Sequence, residues 1–139
     1  FIPLIGGTGG NVGVQASAIV VQGLANGRLD IRNAGSQIGR EFLVAMLNAV
    51  VISSVVFVYV ALTQPGDIHY AVAVAVAASL FAVVIFATVF GTLVPLTLER
   101  FKVNPALATG PFIQITNDVV GLLIYVGMST WMMHAFGIR

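Results

Sequence analysis

The chain has 139 residues, six basic and five acidic side chains, a formal net charge of +1 and no cysteine, and 58% of it is hydrophobic. Charged residues make up 8%, against about 25% in an average soluble domain, and the mean hydropathy is +1.02. So few charges cannot cover a wet surface, which excludes a disordered chain, a nucleic-acid binder and a disulfide scaffold and leaves membrane lipid as the expected solvent.

A helix needs about 20 mostly apolar residues to cross about 30 Å of hydrocarbon. Four runs qualify: 1–26, rich in glycine; 42–62, uncharged and β-branched; about 70–98, with Gly91 and Pro95 near its end; and 103–138, interrupted by Gly110-Pro111 and Asp118. The alternating segments of about 9–11 residues that mark transmembrane strands are absent. The predicted fold is therefore an all-α integral membrane protein, a bundle of four transmembrane helices. In the second run Asn48, Ser53 and Ser54 read as interhelical hydrogen-bonding groups. The valine-alanine repetition over 71–78 reads as lipid-facing bulk. Asn104-Pro105 reads as the N-cap and first residue of the last helix.

The connecting loops differ in charge. Loop 27–41 holds Arg28, Arg32 and Arg40, and loop 99–109 holds Arg100 and Lys102. Loop 63–69 holds no Lys or Arg, and its Pro65-Gly66-Asp67 predicts a turn. Basic residues in short loops mark the cytoplasmic side, which puts loops 27–41 and 99–109 inside, and loop 63–69 and both chain ends outside. The chain opens on Phe1 within a hydrophobic run, with neither Met nor a charged leader, and so reads as a piece of a longer protein.

The glycines of the first run do not form a nucleotide loop. A G-x-G-x-x-G beginning at Gly7 would need glycine where Val12 stands, and no G-K-[ST] follows. Gly6 and Gly10 are four apart, as are Gly9, Gly13 and Ser17, a spacing that lets a second helix approach closely. Thr8, Asn11, Gln15 and Gln22 share another face. Amides in lipid require partners or water. That face therefore either bonds to another helix or lines a wet path, and the glycine-rich backbone could also turn carbonyls toward a cation.

Asp118 is the acid set well inside a hydrophobic run, where a charge costs about 2.5–3.5 kcal/mol. Counted at about 1.5 Å per residue, it lies roughly 20 Å in from Pro105 or about 10 Å in from Pro111. Gln114, Asp118 and Gly121 recur at helical spacing, with Gly110 and Pro111 before them, as one polar or small stripe opposite Ile113, Val120, Leu123 and Ile124. Three roles stay open for Asp118: a structural ion pair, a proton relay or a cation site. No Lys, Arg or His lies in the interior of the four runs to serve the first. One carboxylate holds a dication poorly, whereas a two-fold dimer brings two together. Mg²⁺ keeps its waters and needs only one or two carboxylates, while Ca²⁺ demands more direct oxygens. His69 and His134 are isolated, Trp131 reads as an interface anchor, and no catalytic constellation supports an enzyme.

At this point the residues resemble a known family. Gly9-Gly10-Asn11-Val12-Gly13-Val14-Gln15, followed about 100 residues later by Asn104-Pro105-Ala106-Leu107, Gly110-Pro111 and Thr116-Asn117-Asp118, resembles the two signatures of MgtE-type magnesium channels. The resemblance covers essentially the whole chain. It implies a homodimeric, multi-pass channel for Mg²⁺, with Mn²⁺, Co²⁺ or Ca²⁺ as further candidate cargo, in a cell membrane such as the bacterial inner membrane. The four runs would be helices two to five of a five-helix subunit, without the family's first helix and cytoplasmic regulatory domains. The central ion-binding aspartate maps onto Asp118, and the positions one and two turns before it map onto Gln114 and Gly110. Some relatives carry alanine and asparagine at those two places. Thr8, Asn11, Gln15, Pro111, Asn117 and Gly121 would line the pore. The alternative transport class is a proton- or cation-coupled divalent-metal carrier with Asp118 as its relay.

Overall fold

The computed structural model describes residues 1–30, 34–63, 69–108 and 110–135. Four long helices follow one another: α1 (Ile2–Ala25), α2 (Ala34–Thr63), α3 (His69–Arg100) and α4 (Pro111–Ala135), with a single 3₁₀ turn at Pro105–Ala108. All four are long and apolar enough to cross a membrane, so the chain is a multi-pass, all-α membrane bundle. The turn expected over 64–68, and Arg32 and Arg139, lie outside the described residues.

α3 is the central helix and packs against each of the other three. The main apolar core is built from Ala49, Val56 and Val60 of α2 and Ala73, Val76, Leu80, Val83 and Val84 of α3, with Ile5 of α1. Ala73, Ala75 and Val76 are buried while Val72 and Val74 are exposed, so only part of the valine-alanine repetition is the lipid-facing bulk its composition suggested. Lipid tails are as apolar as leucine, so hydropathy does not tell inside from outside in a membrane protein; small side chains that permit close packing do. The hydroxyls of α3 are satisfied within the helix. Ser79 donates to the Ala75 carbonyl at 2.6 Å, Thr88 to Val84 at 2.9 Å and Thr92 to Thr88 at 2.7 Å. Ser53 of α2, expected to bond between helices, has a buried hydroxyl with no partner.

The helix ends follow local chemistry. α1 closes with Gly27 at φ 64, while Arg28 N–H donates to the Gly23 carbonyl at 3.0 Å and Gly27 N–H to that of Leu24 at 3.1 Å. This is the glycine-terminated pattern that satisfies the last carbonyls, and it folds Leu29 onto Gly23. The final helix starts six residues later than Asn104-Pro105 suggested. The Asn104 side chain does accept the Ala106 N–H, at 3.0 Å, but it serves only the 3₁₀ turn. Gly110 then takes φ 65, its carbonyl accepts Gln114 N–H at 3.0 Å, and Pro111, which has no N–H to satisfy, opens α4. Ser17 of α1 donates to the Ala108 carbonyl at 2.7 Å, fixing this break against α1.

Candidate ion site

The glycines of α1 decide where Asp118 sits. A Cβ on Gly10 would meet Asp118 Oδ1 and would come within 3.0 Å of Gln114 Cγ. On Gly13 it would meet Asn117 Nδ2 and approach Ile113 Cγ2 to 3.1 Å. On Gly9 it would come to 2.7 Å from Val83 Cγ1 of α3. The small-residue spacing read from the sequence is therefore a contact surface, and its partners are α4 on one side and α3 on the other. From the α3 side, a Cβ on Gly91 would meet the Gly13 carbonyl oxygen. Backbones this close leave no room for any side chain at these places.

Asp118 lies on the border of this seam. Its Oδ1 is buried and has no hydrogen-bond partner. Beside it opens a recess of about 340 Å³, walled by Gly6 and Gly7 of α1 and Val119 and Leu122 of α4. A charged oxygen held without a partner is destabilising by about 1–3 kcal/mol or more, which a bound cation would offset. Among the described residues no three His, Cys, Asp or Glu come together. One copy of the chain thus offers a dication a single carboxylate beside a recess on an open face.

The stripe expected along α4 divides. Gln114 is exposed and shares the Gly10 contact with Asp118. Asn117 and Gly121 are buried inside the subunit. Asn117 has neither amide atom partnered, and a Cβ on Gly121 would come within 3.1 Å of Val83. Ile113, read as bulk on the face opposite the stripe, is fully buried. Gly110 and Pro111 stand at the start of α4, about one turn before Gln114. On α1, Asn11, Gln15 and Gln22 are exposed and Thr8 is half-buried, so their shared face lies outside the glycine seam with α4. Gln15 lies in a different recess from Asp118 altogether. Sequence reasoning missed Val83, which gives no chemical signal. It also missed the role of Gly91, for which an isolated glycine within an apolar helix was the available sign.

Known proteins resemble this chain over nearly its whole length. The chain is 34% identical over 135 residues to the magnesium transporter MgtE of Bacillus subtilis (strain 168) and 33% identical over 135 residues to that of Thermus thermophilus. It is 29% identical over 136 residues to the protein of the same name from Enterococcus faecalis. These matches cover 97–98% of this chain, which spans about 29% of the length of each curated relative. The family described as MgtE, divalent cation transporter, matches residues 2–128, a stretch that takes in both the glycine face of α1 and the aspartate of α4, and the chain therefore belongs to the MgtE family.

Proposed function

We propose that this chain forms the ion-conducting membrane part of a magnesium transporter, acting as a dimeric channel with Asp118 at its centre. The observation that supports this most directly is the buried, unpartnered carboxylate oxygen of Asp118 at the edge of an open recess. A second copy set against this face by a two-fold axis would bring two Asp118 carboxylates to one ion. Their combined charge matches a dication, and Mg²⁺ can be held by two carboxylates through its own waters. The relatives named as magnesium transporters support the choice of ion.

Residues have graded roles in this reading. Asp118 supplies charge. Gln114, one turn away, offers an amide oxygen to the hydrated ion. Gly6, Gly7 and Gly10 leave the space in which a hydrated ion can stand beside α4. Asn117 and Gly121 hold the seam from within rather than touching the ion, and Asn11 borders the path from the exposed side of α1. Loops 27–41 and 99–109, which hold most of the basic residues, face the cytoplasm. Conduction is passive and inward, driven by about 2.3 kcal/mol per charge per 100 mV.

The test is Mg²⁺ uptake into vesicles holding the full-length protein under an inside-negative potential. Asp118→Ala abolishes uptake while the protein remains folded, and Asp118→Asn, which keeps shape and removes charge, also lowers it strongly. Normal uptake by the alanine variant overturns the site. Uptake that requires a proton or sodium gradient favours a coupled carrier over a channel.

A further inference from the structure

Asn117 is the buried polar group that conduction, as proposed, leaves without a task. It is fully buried, and neither its Oδ1 nor its Nδ2 has a hydrogen-bond partner. Leucine fills a similar space without shutting away an unbonded amide, so packing alone does not account for asparagine here. Its neighbour Asp118 has the same defect at Oδ1. Both press on one face of α1: Asn117 Nδ2 stands close to where a Cβ of Gly13 would be, and Asp118 Oδ1 close to where a Cβ of Gly10 would be. Two orphaned groups side by side on one helix, facing one surface, have one remedy in common, a displacement of that helix.

α4 is the helix free to make it. In its apolar stretch the last span has 17% of its residues buried, against 39% in α1 and 50% in α3. α1 is set so close to α3 that a Cβ on Gly9 or Gly91 would strike the opposite helix. α4 meets α1 across Gly9, Gly10 and Gly13, and presents Gly121 to Val83 of α3. Glycine offers no side chain to interlock, so these contacts resist a shift along the axis less than an interdigitated seam does. Packed helices shift by about 1–2 Å in such transitions.

We propose that Asn117 is a positioning residue whose amide couples ion binding at Asp118 to a slide of α4 along α1. In the ion-free arrangement Asp118 Oδ1 lies against Gly10 and Asn117 is unbonded. When an ion in the recess draws Asp118 away from Gly10, α4 moves as one body, and Asn117 Nδ2–H donates to the carbonyl of Gly9 or Gly13. A carbonyl has two lone pairs, of which the helix uses one, and on glycine no side chain covers the other. One displacement thus gives partners to both orphaned groups, and the ion shifts the balance because it binds the displaced state better. The coupling rests on the reading of Asp118 as the ion site.

The experiment uses the full-length protein in lipid nanodiscs, with asparagine labelled by ¹⁵N at Nδ2 and the Asn117 signal identified by its loss in Asn117→Leu. On titration with Mg²⁺ that signal moves saturably to the hydrogen-bonded range, and in Asp118→Asn it stays where it was. A signal that stays put in the parent protein, while Asp118→Asn still lowers Mg²⁺ uptake, overturns the coupling and leaves the ion site standing. A shift that survives Asp118→Asn also overturns the coupling. Uptake indifferent to Asp118→Asn overturns the ion site, and the coupling with it. Asn117→Leu gives a second measure. Its thermal midpoint without Mg²⁺ is no lower than the parent's, and its half-saturating Mg²⁺ concentration for uptake rises about fivefold, what one hydrogen bond supplies. A lower midpoint, or an unchanged half-saturating concentration, overturns the proposal. If Asn117→Leu does not fold, Asn117→Ala identifies the signal and its movement alone decides.

Discussion

The seam between α1 and α4 and the seam between α2 and α3 are built on opposite plans. α2 and α3 meet through Ala49, Val56, Val60, Val76 and Leu80, an apolar interlock with its buried hydroxyls mostly bonded back into their own helix. α1 and α4 meet through glycines, with the side chains of Asn117 and Asp118 pressed against the opposing backbone and left without partners. The first seam holds the bundle together. The second accepts unbonded polar atoms in exchange for a charge placed at a defined spot. In lipid, where burying apolar surface from water drives nothing between helices, close fit is what both seams have to offer, and the α1–α4 seam uses its fit for position.

Substitutions can break this contrast. The largest effect is expected from Gly13→Ala. The new methyl falls on Asn117, in a seam so close that a Cβ on Gly91 would in turn meet the Gly13 carbonyl, so neither neighbour can yield freely. Overpacking of this kind costs about 3 kcal/mol and also displaces Asp118, so both the thermal midpoint and Mg²⁺ uptake per folded molecule fall. A variant with unchanged uptake would show that the seam does not position the acid.

Leu80→Ala tests the other seam. Leu80 is fully buried, and in lipid the transfer part of the penalty largely vanishes, leaving the cavity part of about 2 kcal/mol. Here stability drops while uptake per folded molecule is retained. Equal losses of uptake in Leu80→Ala and Gly13→Ala would erase the distinction between the two seams.

The smallest expected effect is that of Ser17→Ala, which removes the 2.7 Å bond to the Ala108 carbonyl. One such bond within a membrane contributes about 1 kcal/mol. Loosening appears first at the 3₁₀ turn, so hydrogen exchange at 106–108 speeds up before exchange in the core of α3. A uniform change across all four helices would contradict that local role.

Much of the fold was legible in residues. The apolar runs gave four helices because a membrane span demands length and apolarity above all. The glycine spacing in α1 gave a close helix contact, since no other residue lets backbones approach so nearly. The acid in the last run stood out through its expense. Where reading the sequence went astray, two environments looked alike. Asn104-Pro105 and Gly110-Pro111 are both helix starts by local chemistry, and only the packing of Ala108 on Ser17 selected the second. Gln15 and Asn11 share a face by periodicity, yet α2 and α3 draw Gln15 into a recess of its own.

The sequence by itself determined that this is a helical membrane protein with one glycine-faced helix and one acid-bearing helix, because length, hydropathy and the absence of a Cβ are properties of the residues themselves. Only the tertiary structure decided that α3 stands at the centre, that Asn117 and Gly121 point inward while Gln114 points out, and that Asp118 and Gln15 belong to different recesses. In a solvent as apolar as the core, hydropathy carries no direction. Facing is set by which backbones can come close, and that depends on pairs of helices far apart in the chain.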